Sequence, residues 1–129
     1  MIKVILDTNF LIYCAKEKLD YPEEISKILN EKFVLVVPRQ VINELIKLSQ
    51  DKLKKVSGKD KNACFLALQL LKFYNIEIIE LDERSVDLAI IKLAKENEKN
   101  IVATLDREMR YKLGRVILIN SRRKLMLTK

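Results

Sequence analysis

The opening apolar run, Ile2-Lys3-Val4-Ile5-Leu6, is the feature that most constrains the fold, because it ends directly on the carboxylate of Asp7. Its apolar residues do not alternate with polar ones, which is typical of a central parallel strand covered on both faces. In open parallel sheets, ligands gather beyond the carboxyl ends of the strands, where Asp7 would lie. Alternatively, Asp7 or Thr8 caps a helix predicted for residues 9–16, because a short oxygen-bearing side chain satisfies free N–H groups there. The run therefore predicts a buried first strand that delivers Asp7 to a site or to a cap.

Further apolar runs predict four more strands, at residues 33–37, 76–81, 100–105 and 116–119. The run at 76–81 is interrupted by Glu77 and Glu80, which places it nearer an edge of the sheet. Helical patterns lie between the strands, at residues 9–16, 22–31, 38–48, 63–74, 83–97 and 107–113. Asp82 is expected to cap the helix at 83–97, and Gly114 to end the one at 107–113.

Strands that alternate with helices require right-handed crossovers. The predicted fold class is therefore α/β, a three-layer α/β/α sandwich with a mostly parallel five-stranded sheet. We expect one domain at residues 1–121, followed by a basic C-terminal tail at residues 122–129.

The chain is basic, with 25 Lys and Arg against 18 Asp and Glu and a formal net charge of +7. This balance favours polyanionic partners such as nucleic acid. Lysines are concentrated at residues 47–61, which we interpret as a solvated, mobile basic segment. The charge indicates a class of partner but not a reaction.

The chain has no histidine, which removes the commonest general base and the commonest transition-metal ligand. Its two cysteines, Cys14 and Cys64, fall in apolar helical patterns and are expected to be reduced core residues. No secretion signal or membrane-spanning run is visible, so we expect a soluble cytoplasmic protein with no membrane partner. Any chemistry must therefore use carboxylates, lysine or a metal.

Four acidic residues fall where the predicted elements would bring them together. Asp7 and Asp106 each follow a strand, Glu44 lies just outside the apolar stripe of its helix, and Asp87 falls on an inward-facing arc. The alternative for Asp87 is a favourable interaction with the positive helix N-terminus. Four carboxylates within hydrogen-bonding range would repel each other unless a divalent cation lay between them. Ligands that are all oxygen favour Mg²⁺ or Mn²⁺ over zinc.

The same stretches resemble the PIN-domain ribonuclease family. They occur in order over nearly the whole chain as Asp7-Thr8-Asn9, Val41-Ile42-Asn43-Glu44-Leu45, residues 87–94 and residues 103–109. The resemblance implies a PIN-like fold and a metal-dependent endoribonuclease. It further implies that Mg²⁺ or Mn²⁺ is held, and catalysis carried, by Asp7, Glu44, Asp87 and Asp106. The residues that would support this cluster through polar contacts are Thr8, Asn9 and Thr104.

The implied reaction is hydrolysis of RNA phosphodiester bonds, in which bound ions activate a water and stabilise charge on the departing oxygen. The flanking phosphates would be held by Arg39, Arg107, Arg110 and Lys112, unless these are ordinary solvated cations. The stretch at 104–110 and the basic tail look like the rRNA-processing branch, whereas the compact size fits the toxin of a toxin–antitoxin pair. The resemblance thus implies RNA as substrate, an antitoxin or a ribosome-assembly protein as partner, and a homodimer.

Other function classes fit the sequence less well. A phosphatase of the haloacid-dehalogenase type carries the motif Asp-x-Asp after its first strand. In this chain Asn9 stands where the second Asp of that motif would be. A receiver domain needs an acidic pair near strand one, an acceptor Asp after strand three and a Lys after strand five. Asp82 could be the acceptor, but the other two requirements are not met. A catalytically inactive PIN-like module for RNA binding or assembly would keep the fold, but the intact set of four acids counts against it.

Overall fold

The computed structural model describes residues 1–51 and 56–128. Within these residues the strands are β1 (Ile2–Leu6), β2 (Phe33–Pro38), β3 (Glu77–Ile79), β4 (Ile101–Ala103), β5 (Val116–Ile119) and β6 (Leu125–Leu127). The helices are α1 (Thr8–Lys16), α2 (Tyr21–Ile28), α3 (Arg39–Ser49), α4 (Gly58–Phe73), α5 (Val86–Lys95) and α6 (Met109–Leu113). None of the described helices is long and apolar enough to span a membrane.

The strands form one sheet in the order β3-β2-β1-β4-β5-β6. The pairs from β3 to β5 are all parallel, and β6 runs antiparallel to β5. The predicted α/β sandwich with a mostly parallel sheet is confirmed, and β3 lies at an edge as expected. Residues 125–127, which we predicted as part of a basic tail, instead form β6. That prediction was wrong because Leu125 is buried against the sheet, although the three residues before it are cationic.

The chain changes direction at β1, and this places the site. From β1 it moves outward to β2 and β3, then returns through α5 to β4 on the other side of β1. In a doubly wound sheet, such a switch point opens a crevice at the carboxyl ends of the strands. Asp7 directly follows β1, and its N–H donates to the Ala103 carbonyl at the end of β4, at 3.0 Å. The fold therefore joins two strand ends that are far apart in sequence.

The helix starts follow their caps. α4 begins at Gly58 because Ser57 accepts a hydrogen bond from the Asp60 N–H, so it starts before residue 63, where we predicted it. α5 is capped by Ser85, which accepts from the Leu88 N–H, so the predicted cap at Asp82 was wrong.

The predicted mobile segment at 47–61 is helical at both ends, and its residues 52–55 lie outside the described residues. Gly114 ends α6 with a positive φ of 78°, as predicted.

The core lies on both faces of β1, in which Val4, Ile5 and Leu6 have no exposed surface. Both cysteines are buried free thiols, which confirms them as core residues. Because β1 is fixed on both faces and by two neighbouring strands, the backbone that presents Asp7 is rigidly held.

Candidate active site

Asp7 is a buried carboxylate at the switch point, with only 7% of its surface exposed. One oxygen, Oδ1, accepts a hydrogen bond from the Thr8 N–H at 2.8 Å and so caps α1. The other, Oδ2, accepts from the Thr104 hydroxyl at 2.7 Å. The cap and the site are therefore compatible, since each uses a different oxygen of the same carboxylate.

Thr104 links the two acids that follow β1 and β4. It is completely buried, and its hydroxyl donates to Asp7 while its oxygen accepts the Asp106 N–H at 3.0 Å. The Asp106 side chain in turn accepts the Glu108 N–H at 2.9 Å. A hydroxyl has one proton to donate and two lone pairs to accept with, so Thr104 can order both strand ends at once.

Burial and neighbouring carboxylates raise the pKa of Asp7 and of Glu44. Burial raises the pKa of Asp7, hydrogen bonds from Thr104 and Thr8 lower it in part, and the charges of Asp87 and Asp106 raise it further. Burial also raises the pKa of Glu44, and the charges of Asp7 and Asp87 add to this. None of the ion pairs in residues 1–51 and 56–128 involves these four acids. Neighbouring carboxylates without a neutralising partner favour binding of a cation.

The acids share a neighbourhood without forming a closed cage. In the described part of the chain, no three acidic or cysteine side chains are grouped closely enough to hold a metal. That the four acids together hold a metal ion stays a prediction. Asp87, predicted on an inward-facing arc, is instead exposed in the first turn of α5. Asp106 is also exposed, so water reduces the repulsion on both.

Gln40 connects the helix of Glu44 to the helix of Asp87. It lies one turn before Glu44 on α3, and its Nε2 donates to the carbonyls of Leu81 and Glu83, at 2.8 and 2.9 Å. These two carbonyls belong to the loop that leads into α5. Gln40 therefore fixes the start of the helix that carries Asp87. Sequence reasoning missed Gln40 because backbone carbonyls leave no signal in the sequence.

The other predicted supporting residues contribute unequally. Thr8 supplies its backbone N–H to Asp7, whereas its own buried hydroxyl has no hydrogen-bond partner in residues 1–51 and 56–128. Asn9 is exposed and, among the described residues, makes no side-chain hydrogen bond; it lines a cavity of about 380 Å³ together with Tyr13 and Leu105. A set of oxygen donors that includes an unpaired hydroxyl fits a hard cation such as Mg²⁺ or Mn²⁺.

The four predicted phosphate-binding cations divide into two groups. Arg39 is held by Glu80, with its Nη2 at 2.6 Å from a carboxylate oxygen. Arg107, Arg110 and Lys112 are exposed just after Asp106, and the Arg107 Nη2 donates to the Ile119 carbonyl at 3.3 Å. The cations that follow β4 are therefore less engaged by other side chains than Arg39.

We expect Asp7→Asn to stabilise the metal-free protein near neutral pH. Burial raises the pKa of Asp7 above its ordinary value of 3.8, so wild-type stability falls as pH rises from that value through the raised pKa. The advantage of the variant is then fully present above the raised pKa and vanishes below the ordinary value. Thermal unfolding in chelator, at neutral pH and below pH of about 3.8, measures this. A variant less stable than wild type at neutral pH would contradict it.

Known proteins match the chain in sequence and in fold. A family model described as a PIN like domain matches residues 4–124. Ribonuclease VapC4 of Methanocaldococcus jannaschii is 42% identical over 113 residues, which cover 88% of this chain and 83% of that protein.

Solved structures extend the match to nearly the whole chain. The PIN domain endonuclease Utp24 superposes with a TM-score of 0.72 at 20% identity, covering 97% of this chain and 90% of that one. A domain of a functionally unknown protein from Methanocaldococcus jannaschii gives a TM-score of 0.56 at 19% identity, covering 94% and 93%. At these identities the two solved structures show the fold alone.

Proposed function

The chain belongs to the PIN-like domain family, and we propose that it is a metal-dependent endoribonuclease that hydrolyses RNA phosphodiester bonds. The observation that carries the proposal is the hydrogen-bonded series Asp7, Thr104 and Asp106 at the switch point of the sheet. Its carboxylates repel each other and form no ion pair with any described residue. The relative at 42% identity is named a ribonuclease, which supports the same reaction.

The metal would be Mg²⁺ or Mn²⁺, held by Asp7, Glu44, Asp87 and Asp106. When bound, such an ion supplies a more acidic water and neutralises charge that develops on the phosphate. Asp7 contributes a carboxylate whose direction is fixed by two hydrogen bonds, so its orientation costs nothing further when a ligand binds. Asp87 and Asp106 are exposed, so they can approach a polymer that is too large to enter a closed pocket.

The cations around the acids would hold phosphates on either side of the cleaved bond. Arg107, Arg110 and Lys112 are exposed and follow Asp106 directly. Arg39 would have to exchange Glu80 for a phosphate. Such contacts position the RNA without reading its sequence.

The cellular role that we favour is the toxin of a toxin–antitoxin pair, with an antitoxin as protein partner and a homodimer as its assembly. The 42% identity to VapC4 over most of both chains supports this role. Processing of rRNA, with a ribosome-assembly protein as partner, is the alternative role, and it rests on the resemblance of residues 104–110.

The test is cleavage of single-stranded and structured RNA by the purified protein, with Mn²⁺, with Mg²⁺ and with chelator. We expect new fragments with either metal and none with chelator, and Asp106→Asn should cut far less than wild type. Cutting in chelator would overturn metal dependence. Salt-dependent retention of RNA with no fragments would instead identify a binding module.

A further inference from the structure

The turn between β5 and β6, residues 120–124, carries the chain's cationic stretch Arg122-Arg123-Lys124. All three side chains are exposed. β5 is parallel to β4, and β4 to β1, so the three strands end at the same edge of the sheet. The residues that we predicted as the start of a tail therefore lie at the edge that carries Asp7 and Asp106. We call residues 120–124 the basic turn.

The basic turn is held in one conformation by Asn120. The Asn120 Oδ1 accepts the N–H groups of Arg122 and Lys124, at 2.9 and 3.0 Å. The backbone closes the same loop, since the Asn120 N–H donates to the Lys124 carbonyl at 2.8 Å and the Arg123 N–H donates to the Asn120 carbonyl at 2.9 Å. Because the backbone of the turn is already ordered, binding needs no further ordering of that backbone.

Arg123 has a φ of +61°, in the left-handed region. Glycine or asparagine adopts this conformation with less strain than a residue with a long side chain. Arg122, Arg123 and Lys124 take part in none of the ion pairs among residues 1–51 and 56–128, so their charge is available to a ligand.

A second group of cations adjoins the basic turn. The Arg107 Nη2 donates to the carbonyl of Ile119, the last residue of β5. This contact ties the segment that follows Asp106 to the start of the turn. Exposed cations therefore extend from Asp106, across the ends of β4 and β5, to Lys124.

We propose that the basic turn binds the phosphate backbone of the RNA strand where it leaves the acidic site across the ends of β4 and β5. This inference rests on the proposed function, because it assigns the path of the same substrate. Arginine offers a planar fork of N–H donors that matches phosphate, and the basic turn carries two consecutive arginines, Arg122 and Arg123. RNA is favoured over an acidic protein because the turn shares its edge with a site that must accept a polyanion.

The test compares two triple variants that lose the same charge. One replaces Arg122, Arg123 and Lys124 by Gln. The matched control replaces Lys32, Lys95 and Lys99 by Gln. These lysines are exposed and lie at the opposite edge of the sheet: Lys32 precedes β2, Lys95 ends α5 and Lys99 precedes β4. Binding of single-stranded RNA is measured in chelator, where no cutting interferes. We expect the turn variant to lose about 10- to 100-fold in affinity, and the slope of log K against log salt to fall by about 2.

A single substitution separates the side chain from the fold. Arg123→Gly removes one cation and suits the left-handed backbone, so RNA affinity should fall about threefold while the melting temperature stays the same or rises. Equal affinity loss in both triple variants, or no loss in the turn variant, overturns the proposal. Cutting of RNA by wild type with Mn²⁺, measured on the same preparations, distinguishes failure of this inference from failure of the proposed nuclease function. Wild-type cutting with unchanged binding by the turn variant rejects only this inference, whereas turn-dependent binding without any cutting rejects only the nuclease.

Discussion

Asp7→Asn is expected to reduce RNA cleavage by about 10³-fold in kcat, with the fold intact. The amide has almost the same shape as the carboxylate, so one of its atoms still accepts the Thr8 N–H. It carries no charge, however, and cannot neutralise a dication. With its oxygen on the Thr8 N–H, its NH₂ group faces the Thr104 hydroxyl, which donates to Asp7 in the wild type. The loss should therefore appear in catalysis and metal binding, without a loss of structure.

Asp20→Asn is the matched control for this prediction. Asp20 caps α2 by accepting the Glu23 N–H, and asparagine caps a helix equally well. The control should cut RNA at the wild-type rate. Added Mn²⁺ should raise the melting temperature of wild type and of Asp20→Asn, but much less that of Asp7→Asn. Wild-type cutting by Asp7→Asn would show that this carboxylate is only a helix cap.

Thr104→Val should lower metal affinity or activity by about 10- to 100-fold, through loss of support to two acids. Valine fills nearly the same volume but removes the proton donated to Asp7 and the oxygen that accepts the Asp106 N–H. A buried acceptor without its donor costs about 1–3 kcal/mol of stability. Urea unfolding together with metal titration of cleavage measures both effects.

Two further variants identify Thr104 as a positioning residue. Thr104→Ser keeps the hydroxyl and should restore most of the activity. Thr128→Val removes a similar buried hydroxyl, which accepts the Val116 N–H at 2.9 Å and donates to the Gly114 carbonyl at the start of β5, away from the site. It should lose stability but keep the wild-type metal dependence. If Thr128→Val lost as much activity as Thr104→Val, the effect would be one of stability alone.

The parallel core and the strand ends could be predicted from sequence because buried parallel strands are continuous apolar runs. β1 and β4 each carry such a run, and each is followed by an acid. The right-handed crossover rule then left few ways to arrange them, so the proximity of Asp7 and Asp106 followed. Metal binding by these residues stays a prediction.

The parts that could not be predicted depend on contacts that single residues do not reveal. β6 is a three-residue strand after a cationic turn, and only its pairing with β5 makes it part of the sheet. We predicted Asp87 on an inward-facing arc because helical periodicity gives the direction of a side chain around the helix axis. Periodicity does not show whether a neighbouring element covers that side chain. Gln40 recognises carbonyl groups, which every residue has, so its role appears only in three dimensions.

The position of β1 between β2 and β4 also governs when the site can exist during synthesis. Asp7 is made early, but the hydroxyl that orients it belongs to Thr104, which lies 97 residues later. Contacts between such distant segments form late in folding. A nascent chain therefore carries its central carboxylate long before it can use it, and any nuclease activity must await the last third of the polypeptide.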